Sequence, residues 1–191
     1  AKSSIVYKQR GAVLIISPWN YPFQLTMSPL VSAIAAGNCI VLKPSEHSPH
    51  TTAVMCKMIS ESFEDKEVAC IAGGKSAAET LLKLPFDHVF FTGSSAVGKQ
   101  IMKAAAAHLA SVTLELGGKS PVIVDETADL EKAANKIAWG KLINAGQTCI
   151  APDYVLIPKN LRDEFIRYYL NAVKGMFFKA DGNIDLTVYA K

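Results

Sequence analysis

The sequence predicts an α/β protein: a parallel sheet with helices on both faces, followed by the start of a second α/β domain. Three observations predict it. Short apolar runs of strand length alternate with stretches of helical periodicity. The chain has 191 residues, 50% of them hydrophobic and 19% charged, enough for one large domain or one and a half. The pattern then changes character after Gly117-Gly118. Strand–helix alternation implies right-handed crossovers between parallel strands.

The elements follow in order. Ala12 to Ser17 reads as a buried strand closed by Pro18 and Pro22, and Pro29 to Ala36 as a helix stopped by Gly37-Asn38. Cys39 to Leu42 is a second strand. From Thr51 to Phe63, Met55, Met58, Ile59 and Phe63 share a helical face opposite Lys57, Glu61 and Glu64. A strand over Val68 to Ile71, a helix over Ser76 to Leu84 and a strand over His88 to Thr92 come next. A helix from Ser95 to about Ala107 and a strand over Val112 to Leu116 complete a first domain, placed at 1–118. The second, 119–191, holds a strand at Pro121 to Val124, a helix at Leu130 to Asn144 and a strand at Tyr154 to Pro158. Its last helix is expected to take Asn160 as N-cap with Asp163 in the first turn, burying Leu161, Phe165, Tyr168, Ala172 and Met176. Lys179 to Lys191 carries no pattern.

Composition excludes several classes of function. A net charge of +3, with Lys and Arg scattered, gives no surface for nucleic acid or an anionic membrane. No apolar run approaches the ~20 residues that span a bilayer. The start, Ala1-Lys2-Ser3-Ser4, has neither a leader pattern nor an initiator Met, which predicts a processed product or part of a longer chain. Cysteines stand at 39, 56, 70 and 149 without CxxC spacing. No metal site or disulfide framework is expected from them, and a reducing, cytoplasmic setting is favoured. Only Cys149 has a polar, glycine-containing context.

Five segments could carry chemistry. In His88 to Lys99 a strand runs into Gly93 and a helix opens at Ser94 or Ser95, an anion site suited to phosphate or an ordinary capped turn. Gly93, Gly98 and Lys99 nearly match a P-loop, and Val122 to Asp125 could pose as its Mg²⁺ strand; Gln100, however, stands where a hydroxyl is needed. The segment also departs from G-x-G-x-x-G. Lys43 and Glu46 follow a strand, where a carboxylate can accept both ribose hydroxyls and would repel a 2′-phosphate; a solvated ion pair is the alternative. Glu115, between leucines and beside Gly117-Gly118, is expected to be partly buried and drawn toward general-base range, unless it sits exposed on an edge. Cys149 offers a thiolate nucleophile for a carbonyl carbon, or an inert thiol. Finally, Ser17 to Pro22 is a rigid loop presenting Asn20, whose amide could hold an oxyanion, or a packed aromatic turn.

Taken in order, Pro18-Trp19-Asn20, Lys43-Pro44-Ser45-Glu46, Phe91-Thr92-Gly93-Ser94, Glu115 to Lys119 and Gly146-Gln147-Thr148-Cys149 resemble the aldehyde dehydrogenase superfamily. The similarity runs from about Tyr7 to Phe178, and Ile16 to Phe23 with Ala104 to Leu109 resemble its class 3 or fatty-aldehyde branch. The resemblance implies a Rossmann-like cofactor domain and the amino-terminal part of a catalytic domain. Cys149 then matches the nucleophile, Glu115 the base, and Asn20 the side-chain half of an oxyanion hole. Lys43 and Glu46 match ribose contacts and Gly93 and Ser94 a pyrophosphate turn. Leu116 and Gly117 match the loop beside the nicotinamide, and Ser17 and Trp19 fall with the cofactor contacts. It implies NAD as cofactor, with NADP open, a small-molecule aldehyde as substrate and a homodimeric parent enzyme.

Family subunits are more than twice as long, and the motif that would hold the nicotinamide ribose is absent. The expectation is therefore a cofactor-domain core with weak turnover of its own, and a tail outside it leaves organelle or membrane association open. A P-loop NTPase and a non-catalytic dinucleotide-binding module are the competing readings.

Overall fold

The structure, a computed structural model, describes residues 2–185; the end of the patternless tail, 186–191, lies outside the described residues. They form two compact units, one up to Leu116 and one from Gly117.

In the first unit β1 (Ala12–Ile16) lies at the centre of a parallel sheet. It pairs with β2 (Cys39–Lys43) on one side and β4 (His88–Thr92) on the other, Leu14 standing opposite both Val41 and Val89. β3 (Val68–Cys70) joins β2 and β5 (Ser111–Glu115) joins β4, giving the order β3-β2-β1-β4-β5. This is the parallel α/β sheet expected.

Successive side chains on a strand point to opposite faces, and β1 is apolar on both. Val13 and Ile15 therefore enter one core, with Ile40, Leu42, Leu30 of α1 (Gln24–Ala35) and Ile59 of α2 (Pro49–Ser62). Leu14 and Ile16 enter another, with Val89, Phe91 and Ile101 of α4 (Ser95–Ala106); Ala78 and Leu81 of α3 (Lys75–Leu81) pack against it. Helices thus cover both faces. The chain builds outward through β2 and β3, then returns to lay β4 beside β1, so the strand order reverses between β1 and β4.

α1 begins at Gln24, earlier than the proline suggested, and Pro29 lies inside it. Carbonyls of Tyr21 and Phe23 already accept the first helical bonds, from Leu25 and Met27, so the helix is under way before the proline. Its end is as expected. Gly37 takes φ +80° while its N–H reaches Ile34 O and that of Asn38 reaches Ala33 O, a pair of bonds that closes the last turn.

The second unit has a parallel pair, β6 (Ser120–Ile123) and β7 (Pro152–Leu156), joined through α5 (Leu130–Leu142). α5 ends before the Asn144 expected, and the chain leaves right-handed helical geometry over Ile143–Gly146. α6 (Arg162–Phe177) follows β7. Val124, Ala134, Ile137 and Phe165 form the core of this unit. Asn160 is not the cap of α6: Leu161 holds that position and no side chain caps it. The Leu161 amide instead closes a turn onto Pro158 O, while Asp163 and Glu164 place negative charge in the first turn. Phe165 and Ala172 are buried as expected, with Phe177 completing the face. Among the described residues no helix is long and apolar enough to cross a membrane.

Leu14 is fully enclosed at the centre of the sheet. Leu14→Ala is expected to cost about 2–5 kcal/mol in urea unfolding, whereas Ile123→Ala, at a residue 77% exposed, shifts stability by about 0.5 kcal/mol or less. Equal losses at the two positions would place the core elsewhere.

Candidate active site

Because the five strands of the first unit are parallel, their carboxyl ends share one edge. In register, Ile16 stands opposite Lys43 and Phe91, Phe91 opposite Leu114, and Thr92 opposite Glu115. The segments after β1, β2, β4 and β5 therefore emerge together: Ser17 to Asn20, Lys43 to Glu46, Gly93-Ser94, and Glu115-Leu116. In open α/β sheets ligands bind at this edge, in the crevice where the strand order reverses. Here that crevice lies between the loops after β1 and β4.

The loop after β1 is held from inside. Thr26, fully buried, gives its single hydroxyl proton to Pro22 O at 2.6 Å. It is therefore the acceptor for the Ser17 hydroxyl, also at 2.6 Å. Ser17 is buried and committed inward, its N–H donating to Lys43 O. Trp19 is half-exposed at the loop's tip and Asn20 partly buried beside it.

After β2 a cation is buried. The Lys43 side chain is only 4% exposed, and its Nζ donates to Glu46 Oε2 at 2.8 Å. That hydrogen bond holds the Glu46 carboxyl below its usual range, so the group is ionised at neutral pH with 39% of its side chain open to solvent. Thr52 of α2 donates to Ser45 O at 3.0 Å, which fixes the loop between them. Gly73-Gly74, before α3, passes close by: a Cβ on Gly74 would stand 3.7 Å from Glu46 Oε1.

Between β4 and α4 only Gly93 and Ser94 intervene. A Cβ on Gly93 would stand 2.5 Å from the Phe91 ring, so only glycine lets the chain turn here. The Gly93 N–H donates to Glu115 O, and Ser94 caps α4, its Oγ accepting from the Val97 N–H at 3.3 Å. The opening turn of α4, with its dipole, thus faces the crevice. This geometry overturns the P-loop reading. Gly98 and Lys99 lie within α4, too far along to cradle phosphate from a loop, and Gly98 packs inward, where a Cβ would come 3.0 Å from Leu116. The strand before Asp125 pairs in the second unit's sheet, not beside β4.

Glu115 is exposed, and the partial burial expected of it is not seen. It is the last residue of an edge strand, so solvent reaches it although Leu114 and Leu116 pack inward. Gly117, first residue of the second unit, faces open space.

In the second unit the chain before Cys149 is strained. Asn144, Ala145 and Gly146 take φ of 52°, 54° and 78° in succession. Left-handed backbone costs non-glycine residues about 1 kcal/mol or more each and clusters at functional sites. The Cys149 thiol beyond it is free and exposed. A Cβ on Gly118 would lie 3.0 Å from Cys149 O, so that loop rests on glycine backbone.

A profile described as "Aldehyde dehydrogenase family" matches residues 1–187. The chain belongs to the aldehyde dehydrogenase family. It is 49% identical over 191 residues to a putative aldehyde dehydrogenase, AldX, of Bacillus subtilis, covering 100% of this chain and 43% of that protein. Two Mus musculus relatives are each 49% identical over 167 residues, 87% of this chain. One is named dimeric NADP-preferring aldehyde dehydrogenase, of which 37% is covered, and the other aldehyde dehydrogenase family 3 member A2, of which 34% is covered. Among solved structures, a Mycobacterium tuberculosis aldehyde dehydrogenase complexed with NAD+ superposes with a TM-score of 0.84 at 32% identity. The match covers 92% of this chain and 38% of that one. The chain thus spans less than half the length of these relatives, among them class 3 aldehyde dehydrogenases.

Sequence reasoning missed several supporting residues of this aldehyde dehydrogenase chain. Thr26 and Thr52 hold the two loops through buried hydrogen bonds, and nothing in their local sequence marks them. The Gly73-Gly74 doublet and the Asn144-Ala145-Gly146 strain carried a signal in their glycines.

If the Phe91 ring is what excludes a side chain at 93, Gly93→Ala loses about 1–3 kcal/mol of stability. A double-mutant cycle with Phe91→Leu then shows favourable coupling. Purely additive losses would assign the glycine to something other than that contact.

Proposed function

We propose that this chain is the nucleotide-binding core, up to residue 118, and the nucleophile-bearing part, from residue 119, of an NAD-dependent aldehyde dehydrogenase. The observation that carries it is the pairing, on one edge, of the Lys43–Glu46 ion pair with the Gly93–Ser94 turn across the crevice where the strand order reverses. A dinucleotide has two recognisable parts, ribose hydroxyls and a pyrophosphate. A half-exposed ionised carboxylate suits the first, and a glycine turn opening a helix suits the second. The residues fit the cofactor: Glu46 and Lys43 would hold the adenosine ribose, and Gly93 and Ser94 the pyrophosphate. Leu116 and Gly117 would flank the nicotinamide, with Ser17 and Trp19 lining the loop opposite. What the nicotinamide supplies when bound is a hydride acceptor.

The chain's own residues do the rest. The Cys149 sulfur, as thiolate, adds to the aldehyde carbon and converts the carbonyl to an oxyanion. The Asn20 amide and the Cys149 N–H donate to that oxyanion. Oxidation leaves an acyl thioester on Cys149, whose carbonyl is open to water because thiolate is a good leaving group. Glu115 takes a proton from that water, and the acid departs. The octanal bound in a Pseudomonas syringae relative supports medium- or long-chain aldehydes as substrates, and the dimeric relative of Mus musculus supports a homodimeric whole enzyme. The cysteine usage supports an intracellular setting.

Two outcomes test this reading. In the whole enzyme, Cys149→Ser abolishes aldehyde-dependent NADH formation by ~10³-fold or more, while Asn20→Ala lowers kcat by about 10²-fold with NAD affinity kept. Retained turnover in Cys149→Ser would remove the covalent route. For cofactor choice, the ionised Glu46 faces the position a 2′-phosphate would take. Glu46→Gln is expected to narrow the preference for NAD over NADP by about tenfold, ~1.4 kcal/mol, in titrations of each nucleotide. An unchanged ratio would place the ribose elsewhere.

A further inference from the structure

Two thiols that the proposed chemistry does not use stand against each other in the first unit. Cys56 lies on α2 and Cys70 ends β3, and their sulfurs are 2.7 Å apart. That is longer than the ~2.05 Å of a disulfide bond, yet closer than two unbonded sulfurs ordinarily settle. Both residues are half-buried, and both thiols are free. The contact spans fourteen residues of chain and joins a helix to the edge strand on which it packs. We propose that Cys56 and Cys70 are a reversible dithiol–disulfide pair that clips α2 to β3 when the surroundings become oxidising.

The position gives the clip a consequence. Cys70 stands opposite Leu42, immediately before Lys43, and the Ile71 N–H donates to Leu42 O. Cys56 sits on the helix that follows Glu46. One covalent bond would therefore tie together the strand–helix–strand unit that carries the Lys43–Glu46 pair. Cys149, in the second unit, takes no part.

The chemistry closes with a small disulfide such as oxidised glutathione as oxidant. Burial and the neighbouring Cys56 sulfur push the Cys70 thiol well above its ordinary range; the exchange balances in the same way from either sulfur and is followed from Cys56. As thiolate, Cys56 attacks one sulfur of oxidised glutathione, breaking that S–S bond and releasing one glutathione thiolate. The Cys70 sulfur then attacks Cys56 in the mixed disulfide, losing its proton to the second departing glutathione. Two protein thiols are oxidised and one glutathione disulfide is reduced to two thiols. A cross-link closing so short a loop restricts the unfolded chain more than the folded one, whose sulfurs already touch.

The experiment takes the purified chain through oxidised and reduced glutathione mixtures, blocks remaining thiols with N-ethylmaleimide, and reads intact mass and peptide maps. The expected result is peptides carrying residues 56 and 70 joined, lower by about 2 Da than their reduced sum, with neither of these two thiols blocked and any glutathione adducts confined to the exposed Cys39 and Cys149. The thermal midpoint rises by several degrees and falls back with dithiothreitol, and Cys56→Ser removes both changes. Four blocked thiols throughout, glutathione adducts on Cys56 or Cys70 that never resolve, or a cross-link through Cys39 or Cys149 would overturn the proposal. The peptide map of the unaltered chain decides the matter even where Cys56→Ser fails to fold.

Discussion

The structure depends on the double burial of β1. A strand apolar on both faces can be satisfied only between two helical layers, with hydrogen-bonded neighbours on both sides. Val13 and Ile15 take one layer and Leu14 and Ile16 the other, while β2 and β4 supply the neighbours. Once those strands run parallel to β1, the loops that leave them open at a single edge. Residues from positions 17 to 116, far apart in sequence, are gathered there by strand direction and not by any attraction among themselves. The reversal of strand order then parts the loops after β1 and β4 and leaves a crevice between them.

That edge carries an electrostatic cost. A Lys side chain only 4% exposed loses most of its hydration, and such a charge persists only when a partner and good hydrogen bonds replace water. Glu46 supplies the partner at 2.8 Å, and that bond holds its carboxyl below the usual range. The asymmetry of the pair matters. The cation is enclosed while the carboxylate keeps an open side, so the pair turns acceptor oxygen toward solvent. A hydroxyl-bearing ligand can meet such a group without first breaking the ion pair.

Much of the fold was legible because apolar runs and helix stops are local. His88 to Thr92 and Ala12 to Ile16 emerge as strands within a residue of expectation, and Gly37 stops α1 where a left-handed residue is needed. The misses have tertiary causes. Pro29 suggested a helix start, yet carbonyls upstream at Tyr21 and Phe23 had already begun the helix. Glu115 suggested burial because leucines flank it, but flanking residues describe the strand's two faces and say nothing of whether it is an edge. The candidate site residues stand out in the sequence by type: Lys43, Glu46, Gly93 and Ser94 at or just past strand ends, and Cys149 just past a glycine-containing turn. The residues that hold them do not. Thr26 and Thr52 close loops onto the helices that follow them, and the Cys56–Cys70 contact exists only once β3 lies beside α2.

The four cysteines also show how placement divides residues of one type among different chemistries. Cys56 and Cys70 are half-buried against each other; burial raises the Cys70 thiol, and the nearest partner for its oxidation is another thiol. Cys149 instead sits exposed beyond three successive left-handed residues, one of them an alanine with no intrinsic liking for that backbone. A chain does not hold Ala145 at φ 54° unless neighbouring structure fixes it, here with α5 ending just before and Gly118 passing against the Cys149 carbonyl. The strain therefore marks a loop whose path is set by something other than local preference. A turn that follows no local propensity and ends in a free and exposed thiol is consistent with the nucleophile proposed for Cys149. Burial would have given the same sulfur a packing role.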